Sequence, residues 1–330
     1  MIRYDRAPTV ELQNLFGSEG VLHALTEELK PRDGYDSLPV FDVQFREKNK
    51  VAVYCGLTKI VNIAFKGKNA PLTVRAHGTY EGQACAANLM KEWDINGTAD
   101  DFKQALTRYL RDVVVADKQW KKEGAVQVRF ENWFSKKWHA EKPFVIIDRE
   151  AVLGYKAKEE KKTAIKKIKP LIEQISSYIR NTNEWAKITG NYPNELDLIG
   201  LSSDGKNLVL AEVKDHSNNK LYYSPLQILY YVLEWENALS SQYGGKIIDD
   251  MNLLIEAKKR LGLLPPAVPT IATRPNIQPL LVIDRIDWSA EVQERFREII
   301  NLVNSRAGGR LKNLQIWQCP EIGEPLLYRY

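Results

Sequence analysis

Cysteine and histidine are scarce in this chain of 330 residues: three cysteines, Cys55, Cys85 and Cys319, and four histidines, His23, His77, His139 and His216. The cysteines are odd in number and far apart, so they match neither a disulfide framework nor a zinc site. The histidines are scattered, which argues against a histidine-built metal centre. This usage favours a reducing, cytoplasmic setting. No apolar run reaches the roughly 18 residues of a membrane-spanning helix, and MIRYDRAPTVELQNLF at the start lacks the apolar stretch of a secretory signal. No membrane partner is expected. The pattern G-x-x-x-x-G-K-[ST] is also missing, so any nucleotide-driven motor would be a separate chain.

What is present suffices for ordinary cores: 44% of residues are apolar, and the length suggests two domains. The formal charge is +5, and it is unevenly placed. Residues 156–169, KAKEEKKTAIKKIK, carry seven lysines against two glutamates, so the remainder sums to about zero. Lys161, Lys162, Lys166 and Lys167 in this run are candidates for neutralising phosphates. A solvated helix face with Glu–Lys pairs is the competing reading.

Residues 1–150 read as a mixed α/β, strand-rich accessory domain. Strands are expected in PVFDVQF, KVAVYCG, IVNIAF and PLTVRAHGTY, with a PRDG turn before them and an amphipathic helix over 99–115. AVQVRF (125–130) and FVIIDREAVLGY (144–155) also read as strands. The segment RFENWFSKKWH (129–139) mixes aromatic and basic residues, and a core role for its rings is favoured over stacking on bases. Residues 151–330 read as a second domain, and from residue 160 the pattern changes. Ile165, Ile168, Ile172, Ile175 and Ile179 make a helical stripe interrupted by Pro170. Further helices are expected over 224–245, with Ser224 as N-cap, over 246–262 and from Ser289. Strands are expected at 279–286 and 314–319. Helix, hairpin, helix, strand, helix, strand describes an α/β unit with a mixed sheet flanked by helices.

The segment NELDLIGLSSDGKNLVLAEVK holds two strands joined at Asp204-Gly205, a pair suited to a tight hairpin turn in which both central residues take positive φ. Side chains alternate along a strand. Glu195, Asp197 and Ile199 therefore share one face of the first strand, and Leu208, Leu210, Glu212 and Lys214 one face of the second. Two carboxylates and an ammonium converge at one edge, which is what a divalent-metal site for phosphodiester hydrolysis requires. Downstream, Gln227 and Tyr231 are four apart and share a helical face. His216 reads as a solvated loop residue.

Asp197, then Glu212-Val213-Lys214, then Gln227-x-x-x-Tyr231 resembles the PD-(D/E)xK nuclease superfamily, which includes RecB-type exonuclease domains, many restriction endonucleases and Holliday-junction resolvases. The Pro-Asp dipeptide of the first element is absent, with Pro193 four residues before Asp197. The resemblance implies a restriction-endonuclease-like αβββαβ core over residues 151–330 and a Mg²⁺- or Mn²⁺-dependent deoxyribonuclease. It implies Asp197, Glu212 and the Val213 carbonyl as metal ligands and Lys214 as the group that positions water. Gln227 would reach toward the site and Tyr231 would support substrate or core. Glu195 would hold a second ion. A glutamate on the helix before the sheet is common in the family. Glu173 is the best placed here, although at about 100° per residue it lies some 140° from the isoleucine stripe. DNA is the expected partner, RNA a further reading, and a homodimer is compatible with cutting both strands of a duplex. The alternative is a catalytically silent nucleic-acid-binding or scaffold protein.

Overall fold

The computed structural model describes residues 1–27, 41–68, 70–96, 99–115, 122–183, 185–186, 188, 195–215, 221–285 and 288–328. The chain is mixed α/β and divides into two units, one of residues 5–128 and 250–268, the other of residues 1–4, 129–249 and 269–330. The division differs from the one expected at residue 150. Phe144–Ala151 pairs with Leu196–Ser202, so its backbone hydrogen bonds tie it to the sheet that carries Asp197. No described helix is long and apolar enough to cross a membrane.

The unit of residues 5–128 and 250–268 is built on a five-stranded antiparallel meander: Phe41–Glu47, Lys50–Cys55, Thr58–Ala64, Leu72–Ala76 and Glu92–Trp93. The helix Ala99–Asp112 buries Phe102, Leu106 and Tyr109 at spacings of four and three, and the Tyr109 hydroxyl donates to the Ile60 carbonyl. The expected PRDG turn lies outside the described residues. AVQVRF is not a strand: it belongs to the helix Glu123–Phe134. Its alternation of Val126, Val128 and Phe130 mimics a strand, but Val126, Phe130 and Phe134 also repeat every four residues, and that is the period the chain uses.

The second unit holds a six-stranded sheet in the order Leu326–Tyr328, Gln315–Gln318, Asn276–Ile283, Asn207–Lys214, Leu196–Ser202, Phe144–Ala151. Asn276–Ile283 runs parallel to both of its neighbours, and the remaining pairs are antiparallel. Its central strands are buried on both faces: Leu198, Ile199, Leu208, Val209, Leu210, Ala211, Leu281 and Val282 are all essentially inaccessible. Adjacent residues on the Gln315–Gln318 strand show what covers each face. Ile316 packs near Phe296 and Ile300 of the helix Ala290–Arg306. Trp317 points the other way, into an aromatic cluster with Phe130, Phe134 and Phe144. The rings of RFENWFSKKWH are thus mainly core, as favoured. The helices Lys158–Thr182, Ser224–Leu239 and Ala290–Arg306 pack on one another.

Lys158–Thr182 is one continuous helix. Pro170 lies inside it on the exposed side, while Ile168, Ile172, Ile175 and Ile179 face inward. Burial of that stripe outweighs the hydrogen bond that proline removes. Ser224 does not cap the next helix. It is the first helical residue, and its hydroxyl donates back to the Leu221 carbonyl. Ser289 does cap, accepting from the Val292 N–H.

The hairpin forms where expected, but its turn differs. The loop has four residues, 203–206, and among them Gly205 alone has positive φ, at 74°. Asp204 stays out of the left-handed region because its carboxylate is captured locally. It accepts from the Ser202 hydroxyl at 2.6 Å and the Lys206 N–H at 3.0 Å, which holds its pKa below the usual carboxylate range. A Cβ on Gly205 would stand 2.4 Å from the Thr270 carbonyl oxygen. Gly205→Ala should therefore cost about 1–3 kcal/mol through left-handed strain and that clash. Urea unfolding checks it, and an unchanged midpoint would contradict the role given to this turn.

Candidate functional site

The antiparallel register places Ala211 opposite Leu198, so Glu212 stands level with Asp197 on the same face of the sheet. The Asp197 carboxylate accepts a hydrogen bond from the Val213 N–H at 2.8 Å. It thereby takes over at the strand end, where backbone pairing stops. Glu212 and Lys214 are 2% and 5% exposed, and the Lys214 ammonium donates to a Glu212 carboxylate oxygen at 2.7 Å. The same ammonium donates to the Val213 carbonyl at 2.8 Å. On the parallel side Leu281 and Ile283 stand level with Glu212 and Lys214 and supply an apolar wall. Burial is what makes the pair tight, because an isolated charge in such a place is far costlier than a paired one.

The helix Ser224–Leu239 carries Gln227, Tyr231 and Glu234 at i, i+4 and i+7, one face of the helix. The Tyr231 hydroxyl donates to the Glu195 carbonyl and so pins the segment that leads into the Asp197 strand. Its phenol is pushed well above its ordinary pKa, first by burial and then by the negative charges of Glu212, Asp197 and Glu234. Tyr231 therefore belongs to the site. Gln227 is half-buried, and its side-chain carbonyl oxygen is enclosed with no hydrogen-bond partner among the described residues. An enclosed acceptor of this kind suits a bound water or a cation.

Other expected residues do not join this group. Glu173 lies on the exposed side of its helix, 3.3 Å from Lys169 at i,i+4, because the isoleucine stripe fixes which side faces inward. Glu195 is exposed just ahead of the strand, and its carbonyl accepts from Tyr231. Lys162, Lys166 and Lys167 are exposed, with Lys162 3.8 Å from Glu159. Lys161 is partly covered and near enough to Glu234 to act on its titration. His216 lies outside the described residues.

Two acids near the site were not singled out in the sequence. Glu234 accepts from the Tyr155 hydroxyl at 3.3 Å, and burial raises its pKa above the usual carboxylate range. The i+7 spacing from Gln227 is the signal that marks it. Glu150 stands level with Asp197 on the facing strand, with a left-handed φ of 47°. A register shift between Ile146 and Asp148 puts it there, and alternation alone does not reveal that.

Among the described residues no group of three or more acidic, histidine or cysteine side chains is placed to hold a metal. What the strands offer is two carboxylates and one backbone carbonyl. That all-oxygen set fits a hard divalent ion that keeps several waters, and does not fit a closed protein cage. Compared with family models, curated proteins and solved structures, the chain shows no significant match.

The raised Glu234 pKa gives a pH test. A carboxyl whose folded pKa exceeds its unfolded value favours folding below the unfolded pKa, and that contribution is lost as pH rises through the folded pKa. Glu234→Gln keeps an acceptor for Tyr155 and removes the charge that burial penalises. It should raise the unfolding temperature at pH 8, by about 2–4 °C for each kcal/mol relieved, and change it little at pH 4. An equal change at both pH values would contradict this account of Glu234.

Proposed function

We propose that this chain is a divalent-metal-dependent nuclease that hydrolyses phosphodiester bonds of DNA. The observation that carries the reading is the convergence of Asp197, Glu212, the Val213 carbonyl and Lys214 at the end of two paired strands beneath one helix. The order of elements supports it. Glu123–Phe134, Phe144–Ala151, Leu196–Ser202, Asn207–Lys214, Ser224–Leu239 and Asn276–Ile283 run helix, three strands, helix, strand. This is the order of a restriction-endonuclease-like core once Gly154–Tyr155 and Lys158–Thr182, after its first strand, and Gly244–Arg260, before its last, are counted as insertions. Mg²⁺ or Mn²⁺ is the expected cofactor.

Asp197, Glu212 and the Val213 carbonyl are the groups that would hold the ion. When bound, such an ion lowers the pKa of a water and neutralises charge growing on phosphate oxygens. The protein's own part is positional. Lys214 donates to one of the Glu212 oxygens and to the Val213 carbonyl, two acceptors an ion also needs, so its ammonium keeps them at cation-binding spacing. Released toward the phosphate, that point charge stabilises the developing anion and orients the attacking water. Tyr231 fixes the start of the Asp197 strand, and Gln227, one turn before it on the same helix face, carries a buried acceptor.

A second reading, a catalytically silent nucleic-acid-binding protein, draws on one observation. Lys214 already neutralises Glu212 in place, and no three-ligand group accompanies it among the described residues.

The test is incubation with supercoiled, linear, single-stranded and branched DNA, and with RNA, in Mg²⁺, Mn²⁺ or chelator. Cleavage should require the ion. Undiminished cleavage in excess chelator would sink the metal mechanism, and no cleavage under any condition would favour the silent reading. The variants must respect burial. Glu212 and Lys214 are buried, so truncating either to alanine removes one partner of a buried pair and costs about 3–5 kcal/mol. Asp197→Asn and Glu212→Gln keep shape and a hydrogen-bond acceptor and should each lower the cleavage rate by about 10²-fold or more, as should Lys214→Met, which leaves Glu212 unpaired and is therefore assayed at a temperature where circular dichroism shows it folded. Full activity in any one would remove that residue from the mechanism.

A further inference from the structure

At the opposite end of the Asn207–Lys214 strand from Lys214 the same unit opens into a cleft of about 1200 Å³. Five residues separate Asn207 from Glu212, so the two ends lie about 17 Å apart along the strand. The cleft is lined by three cations, Arg274, Arg310 and Lys312, against one carboxylate, Glu236. Arg310 is committed to that carboxylate at 3.0 Å and to the Ala307 carbonyl at 2.8 Å, so its guanidinium is held still. Arg274 and Lys312 are exposed and make no ion pair among the described residues. Two positive charges therefore face the cleft without a counter-charge among the described residues. Amide side chains of Asn276 and Asn313 stand beside them, and the chain enters the helix Gly244–Arg260 through Gly244-Gly245 on the same wall.

The lining contains no aromatic ring, so a nucleobase would find nothing to stack on. The volume exceeds the roughly 300–1,000 Å³ of ordinary small-ligand pockets, and the space is open to solvent. Exposed cations and amides of this kind are the usual partners of phosphate and sugar, and without a ring platform the lining offers unpaired bases nothing to stack on. We propose that this cleft is a phosphate-binding site for the sugar–phosphate backbone of a nucleic acid, separate from the acidic strand end. The assignment does not depend on the hydrolytic reading, because it rests on different residues at the other end of the strand.

The test measures binding in chelator, so that no hydrolysis intervenes. Fluorescence anisotropy follows a labelled 30-nucleotide single strand and the matching duplex between 50 and 200 mM salt, with the full chain and with Arg274→Gln/Lys312→Gln. Each lost phosphate contact lowers the magnitude of the salt slope by about 0.7 on a single strand or 0.9 on a duplex. The double variant should therefore lose about 1.4 or 1.8 and bind several-fold more weakly whatever the base sequence. Arg274→Lys/Lys312→Arg, which keeps both charges, should bind as the parent does.

An unchanged slope in the glutamine variant would overturn the proposal. So would an equal loss in the charge-keeping variant, because the effect would then be structural. Inorganic phosphate and ATP form the second arm. If either binds with submillimolar affinity that the glutamine variant loses, while polymer binding stays unchanged, the cleft is a small-anion site and the backbone assignment fails.

Discussion

The Lys214–Glu212 ion pair, 2.7 Å long and almost wholly removed from water, is the contact around which the second unit is arranged. Neither charge is tolerable there alone, since desolvating one ion costs several kcal/mol that only its partner repays. The pair is possible because side chains two apart on a strand share a face, and because the Val213 carbonyl gives the ammonium a further acceptor. It is buried because the sheet is covered on both sides. The helix Ser224–Leu239 lies over the polar end and brings Tyr231 against Glu212 and Asp197. Remove the covering helix and the pair becomes an ordinary surface contact worth little.

That arrangement bears on chemistry through preorganisation. Two carboxylates near one another repel, and an open strand end would let them splay toward water. Here Asp197 is held by a backbone N–H and Glu212 by an ammonium, so neither carboxylate swings away. The enclosed Gln227 oxygen and the raised Tyr231 phenol belong to the same electrostatic pattern: acceptors and negative charge gathered where solvent is scarce. Under the proposed reading this is a site in which Lys214 stands where a cation would otherwise be required. The basic cleft at the far end of the same strand has the opposite character, so one strand would join an acidic end suited to a metal and a cationic end suited to phosphate.

Much of this was legible in the sequence because it follows from alternation. The shared face of Asp197, Glu212 and Lys214 needs only a period of two and a hairpin, and the turn residues announce the hairpin. The isoleucine stripe likewise gave the inward side of Lys158–Thr182 and the outward side of Glu173. What was not legible depends on partners distant in sequence. Phe144–Ala151 joins the sheet through pairing with a strand some fifty residues later, which no local pattern encodes. Glu150 reaches its level through an irregular register. Val126, Val128 and Phe130 satisfy two periods at once, and packing decides between them. The burial of Glu212 and Lys214 was hidden as well, because charged residues at a strand end read as solvent-facing until the covering helix is placed.

The central claim is that the oxygens held by Lys214 are a metal site. The most direct measurement is a Mn²⁺ titration by electron paramagnetic resonance on the parent chain, on Asp197→Asn/Glu212→Gln and on Lys214→Met, at one pH and ionic strength. The account predicts saturable binding by the parent, its loss in the double variant, and tighter binding in Lys214→Met, where the competing ammonium is gone. Binding that survives loss of both carboxylates, or a folded parent chain that binds no Mn²⁺ at all, would contradict it.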